Sequence, residues 1–180
     1  MAHLENLRFG RKTARLSNRM NSILAAIEWS IENLQPFPAL ILILSGIDIM
    51  GSIQDEKGYA SEKHFSDWVV NYLFKEGTFD FNEADLYGAR CAIVHTLRYD
   101  PKPDKKVRRQ IVYGIRWNDD AIKKIKDPAL QVGVNVDDLH KAFKAAYIKY
   151  LEDLENSTDP KINKVLEMHP DYVDLIPFDD

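Results

Sequence analysis

Residues 39–53 read ALILILSGIDIMGSI, and this stretch decides the fold. Apolar residues fill almost every position, so a helix formed here is hydrophobic nearly all round and has to sit at the centre of the molecule. Its most apolar part, ALILILSGI at 39–47, is too short to span a bilayer and reads as a buried helix. Asp48 is the one charge on it, and a carboxylate in such a place needs a partner.

Outward from this helix the pattern stays helical. From Thr13 to Asn33 the positions Leu16, Met20, Ile23, Leu24, Ile27 and Ile31 recur at threes and fours, which predicts a long amphipathic helix stopped by Gln35-Pro36-Phe37-Pro38. Ser61, three residues before His64, starts a third helix with the stripe Phe65, Trp68, Val69, Tyr72 and Leu73. After the break at Gly77, Phe81 or Asn82 opens a fourth, EADLYGARCAIVHTL at 83–97, whose apolar stripe runs through Leu86, Tyr87, Ala89, Ile93 and Val94.

The pattern changes between Arg98 and Trp117. Pro101 and Pro103 exclude a continuous helix, and RQIVYGIRW at 109–117 is rich in β-branched and aromatic residues, which predicts a small β-hairpin. QVGV at 131–134 is a candidate third strand. Asn135 or Asp137 then caps a long helix through Leu139, Phe143, Ala146, Tyr147, Tyr150, Leu151 and Leu154. The expected architecture is mainly α in one domain over residues 1–180, with its core at about 13–157 and a peripheral acidic tail at 158–180.

Length and composition agree with one globular core. At 180 residues a chain buries roughly two-thirds of its unfolded surface, and 45% apolar with 29% charged residues is too apolar for a disordered chain. The formal charge of -4 gives no overall attraction to nucleic acid, but residues 98–126 carry ten Lys and Arg against four Asp. Cys91 is the only cysteine, which excludes an intramolecular disulfide and a four-cysteine zinc site and suits a reducing, cytoplasmic compartment. Phosphate-loop glycine spacings and HExxH are absent and the five histidines are scattered, so neither cofactor nor metal is expected. The N-terminus has charge without the apolar run of a signal peptide, and no membrane association is expected.

The candidate chemistry lies on the fourth helix, at Arg90 and His95. Metal-free cleavage of RNA needs a base for the 2′-hydroxyl and a cation for the charged phosphorane, and these two side chains supply both functions. Five helical residues separate their directions by roughly 140°, so one motif alone makes a poor catalytic pair unless Arg90 curls back or a second subunit completes the cleft. Gly88, Cys91 and Ala92 offer small residues near His95 where another helix can approach. Asp48 either orients His95 or pairs with Arg90, in support of catalysis or as a purely structural ion pair. Arg98, Lys102, Lys105, Lys106, Arg108 and Arg109 are candidates to track an RNA backbone, the alternative being a solvated strand edge. Tyr87 either stacks on a base or fills the core.

Arg90-Cys91-Ala92-Ile93-Val94-His95 resembles the RxxxxH motif of the HEPN superfamily, and LILSGIDIMGSI at 42–53 with FSDWVVNYL at 65–73 is similar to the helices that precede the motif in bacterial members. The resemblance implies an antiparallel helical bundle that dimerises through the motif helix. It also implies metal-independent endoribonuclease activity on RNA, with Arg90 and His95 as site residues, and a toxin or defence role with an antitoxin protein as partner. Active members often carry a polar residue directly after the arginine, where this chain has Cys91. A non-catalytic HEPN-like module for RNA, nucleotide or protein binding is the alternative.

Overall fold

The computed structural model describes residues 12–55, 57–96, 108–117, 127 and 129–168. They form six helices and a two-stranded sheet, so the mainly α expectation holds. Helix α1 (Ala14–Glu32) buries Leu16, Met20, Leu24 and Ile27, the stripe its periodicity sets. It ends in a double hydrogen bond, Leu34 N to Ile31 O at 3.0 Å and Gln35 N to Ser30 O at 2.8 Å. That closure needs a left-handed residue, and Leu34 takes it with φ 56°, a place glycine usually fills.

Helix α2 (Pro36–Ser52) begins earlier than the sequence suggested. Pro36 stops α1 but also opens α2, because a proline in the first turn has no helical hydrogen bond to lose. The helix is the hub of the bundle. Ala39, Leu40, Ile43, Leu44, Ile47 and Met50 are fully buried, and it touches four other helices.

Helix α3 covers residues 62–76, as an α segment Glu62–Trp68, a π turn Val69–Leu73 and a last turn Phe74–Glu76. Ser61 caps it as expected, its Oγ accepting from His64 N at 3.2 Å. The α segment packs on α2 and on α4 (Glu83–Thr96). The π turn and last turn pack instead on α5 (Val136–Asn156), where Trp68, Tyr72, Phe143 and Tyr150 form an aromatic cluster. Helix α6 (Pro160–Met168) was read as peripheral, yet it adds Val165 and Leu166 to the core.

The hairpin expectation is corrected. Strand β1 (Gln110–Gly114) pairs in parallel with β2 (Gln131–Asn135), from Gln110↔Gln131 to Gly114↔Asn135. The segment RQIVYGIRW therefore contributes one described strand, and QVGV is its partner rather than an addition to a hairpin. The physical reason lies in the connection: residues 115–130 are long enough for the crossover a parallel pair requires. Strand β2 runs without a break into α5, whose cap is Asn135, its Oδ1 accepting from Asp137 N at 3.3 Å. Among the described residues no helix is long and apolar enough to cross a membrane.

Two features of the core are testable. A Cβ built at Gly46 would lie 2.4 Å from Phe143 Cζ, so the α2–α5 crossing depends on a missing side chain. Phe143 is fully buried and has little room to retreat. Gly46→Ala is expected to lower stability by about 1–3 kcal/mol despite its better helix propensity, read from urea unfolding.

His140 on α5 is buried and its Nε2 has no hydrogen-bond partner among the described residues. Burial pushes its pKa below 6.5, with Lys144 and Lys141 of its own helix adding to the effect and Glu28 of α1 and Asp137 opposing it. The folded state thus favours the neutral ring, so its contribution is full above 6.5 and is lost as pH falls below that value. Between pH 7.5 and 5.5 the unfolding free energy of the native chain should fall more than that of His140→Gln; parallel curves would exclude a role for this ring.

Candidate functional site

Helix α4 is fixed at its start by reciprocal side-chain bonds. Asp85 N donates to Asn82 Oδ1 at 2.8 Å, and Asn82 N donates to Asp85 Oδ2 at 3.2 Å. Asp85 is 1% exposed and would be an expensive charge there but for Arg109. The backbone N of Arg109 reaches Oδ1 at 2.7 Å, and its Nε and Nη2 reach Oδ2 at 3.0 and 2.7 Å. Nη2 also bonds Asp80 O. This lock sets the entry of β1 against the first turn of α4.

Beyond the lock, α4 turns Leu86, Ala89 and Ile93 into the core. Tyr87, Arg90, Cys91 and Val94, at spacings of three and four, are all half-buried and form its outer stripe. Gly88 and Ala92, expected at an open helix-packing face, are buried within the chain itself. Among the described residues, the stripe with Cys91 is one partly exposed face of α4.

Arg90 and Asp48 meet across α2 and α4. Nε donates to Asp48 Oδ2 at 2.6 Å, and Nη2 pairs with the same oxygen. Both side chains are 17% exposed. Of the two roles open to Asp48, this geometry brings it to Arg90. Asp48 Oδ1 is buried without a hydrogen-bond partner among the described residues. Burial alone would lower the Arg90 pKa, but Asp48 outweighs it and keeps the guanidinium charged. Arg90 Nη1 lies 4.0 Å from Cys91 Sγ, which places that edge toward the outer stripe.

Tyr87 is half-buried and packs against the edge of the core. Its ring packs edge-on against Phe65 at 5.4 Å, with the guanidinium carbons of Arg90 and Arg108 at 5.8 and 5.4 Å from its centre. Burial, and then neighbouring Cys91, pushes the Tyr87 phenol above its ordinary range against the opposing charge of Arg90. It stays protonated at neutral pH. Arg108 is only 8% exposed and pairs with Glu62 in the first turn of α3 at 3.0 Å.

The sequence-derived candidates among the described residues fall into two groups. Arg90, Asp48, Tyr87 and Arg108 come together, whereas Arg109 is drawn away to Asp85. The backbone of His95 continues α4 five residues beyond Arg90, while its imidazole lies outside the described residues, as do Arg98, Lys102, Lys105 and Lys106. Glu62 and Asp85, which hold Arg108 and Arg109, were missed as partners. Asn82-x-x-Asp85 was a legible capping signal, but nothing local ties Glu62 to a residue 46 positions away. Among the described residues no three His, Cys, Asp or Glu side chains are grouped to hold a metal ion. Comparison with protein-family models, curated proteins and solved structures finds no match.

The Asp48–Arg90 pair has a measurable signature. Removing one partner leaves the other charge largely buried, so Arg90→Met or Asp48→Leu alone should cost about 2–3 kcal/mol, and the double variant should recover most of it. Additive losses across this double-mutant cycle, measured by chemical unfolding, would mean that the two residues are not coupled.

Proposed function

We propose that the chain is a metal-independent endoribonuclease of HEPN type, acting as a homodimer on single-stranded RNA in a reducing compartment. The observation that supports this most is the fixed guanidinium of Arg90. Asp48 grips its Nε and Nη2 edge while Nη1 lies toward the half-exposed stripe of α4, five residues before His95. A phosphate-binding cation held in advance does not have to be ordered at the moment of reaction.

In this mechanism His95 takes the proton of the 2′-hydroxyl, and the oxygen attacks the adjacent phosphorus. Arg90 binds the non-bridging oxygens as their charge grows. The bond to the 5′-oxygen breaks, and that oxygen takes a proton from His95 of the partner subunit. The products are a 2′,3′-cyclic phosphate and a 5′-hydroxyl. Because positions 90 and 95 lie about 140° apart around a regular helix, the cleft needs two α4 helices to meet. A toxin or defence role, restrained by an antitoxin protein, accompanies this reading.

One observation favours a second reading. The three described arginines at the motif and at the entry to β1 are held by carboxylates, Arg90 by Asp48, Arg108 by Glu62 and Arg109 by Asp85. A module so neutralised suits binding or protein interaction without catalysis.

Labelled single-stranded RNA in EDTA separates the two. Cleavage to cyclic-phosphate ends is expected from the native chain and absent from His95→Ala, with both variants folded and dimeric. Equal activity of the two proteins would sink the ribonuclease reading. Salt-sensitive RNA retention without cleavage would select the binding module, and no RNA binding would leave protein interaction.

A further inference from the structure

We infer that Arg108 is a positioning residue for Arg90, acting through the ring of Tyr87. The inference rests on the ribonuclease reading for its catalytic consequence, but the contact itself is a matter of geometry. Tyr87 lies one turn before Arg90 on α4, and both guanidiniums lie close to its ring, Arg90 at 5.8 Å and Arg108 at 5.4 Å. Two cations beside one ring repel each other unless each is neutralised. Asp48 on α2 does this for Arg90 and Glu62 on α3 for Arg108. The result is a chain, Glu62–Arg108–Tyr87–Arg90–Asp48, in which a neutral ring joins two ion pairs across α3, the entry to β1, α4 and α2.

Arg108 is unusual within it. Its side chain is 8% exposed, against 35% for Glu62, and its buried Nε has no hydrogen-bond partner among the described residues. A strand-edge cation meant for solvent or for an RNA backbone would keep its head in water. This one is enclosed, with its guanidinium at the ring and its Nη2 on Glu62, while Phe65 packs edge-on against the same ring. Tyr87 is thereby held between Phe65 and two cations, and the Arg90 guanidinium loses freedom to swing away from Asp48. The planar guanidinium suits this role and an ammonium does not, since lysine lacks the flat fork that both faces a ring and pairs with a carboxylate.

The test uses the full chain and three variants, Arg108→Met, Arg108→Lys and Glu62→Gln. Two readouts are taken: kcat and KM on single-stranded RNA in EDTA, and hydrogen exchange of the Arg90 Nε–H by NMR, its signal assigned by its loss in Arg90→Lys. For Arg108→Met, kcat should fall about tenfold with KM held within about twofold, and the Arg90 Nε–H should exchange faster. Arg108→Lys should not restore either property. Glu62→Gln, a milder change that keeps the shape of the site, should show the same effects to a smaller degree and serves if Arg108→Met does not fold. A rise in KM at constant kcat would make Arg108 a substrate contact and overturn the positioning role, as would unchanged Arg90 exchange in a folded variant. A native chain that cuts no RNA would remove the ribonuclease reading alone, and Arg90 exchange would still decide whether Arg108 positions it.

Discussion

A carboxylate set halfway along a helix that other helices surround has to be neutralised from one of them, and Asp48 is such a group. It projects from α2 where most neighbours are Ile, Leu and Met, and the residue that reaches it is Arg90 of α4. Left unpaired it would cost several kcal/mol. Paired, it adds little net stability compared with an apolar contact of the same size, so what it contributes is register. Sliding α4 along α2 or rotating it would strand a charge. With Arg90 fixed, Leu86 and Ile93 have to face the core and Tyr87, Cys91 and Val94 have to face outward.

The same logic governs the two described arginines that lead into β1. By sequence they belong to an excess of cations. In the fold, Arg108 and Arg109 are spent on Glu62 and Asp85, and together they tie β1 to the starts of α3 and α4. Adjacent arginines point to opposite sides of the extended chain, and each finds an acid in the first turn of a different helix. Those acids also sit where the positive end of a helix dipole favours them. Charge at this edge of the bundle is arranged to hold elements together.

The helices were legible because their cause is local. Met20, Leu24 and Ile27 repeat at helical spacing, Ser61 and Asn135 cap as their side chains predict, and the all-apolar α2 had to be central. The strand pairing was not legible. The β-branched and aromatic run Ile111, Val112 and Tyr113 says that a strand forms but not which strand it meets, and the partner is 21 positions further along the chain. At the site, Arg90 and Asp48 were recognisable as two charges in apolar surroundings that needed each other. The fate of Arg108 was hidden for the reason β1 was: its partner is set by tertiary packing, and a lysine- and arginine-rich stretch reads as solvent-facing until an acid from another helix is seen beside it.

The π turn in α3 behaves as an inserted residue. An α-helix keeps one face toward one neighbour, yet α3 serves two: its first turns lie on α2 and α4, and its last ones on α5. Widening the helix between Val69 and Leu73 lets Trp68 and Leu73, five residues apart, both be wholly buried, which the roughly 140° offset of a regular helix would resist. The turn is therefore a joint between two half-helices with separate allegiances. Mechanically it separates two duties: the half beyond the joint follows the aromatic packing on α5, and the half before it carries Glu62 to Arg108.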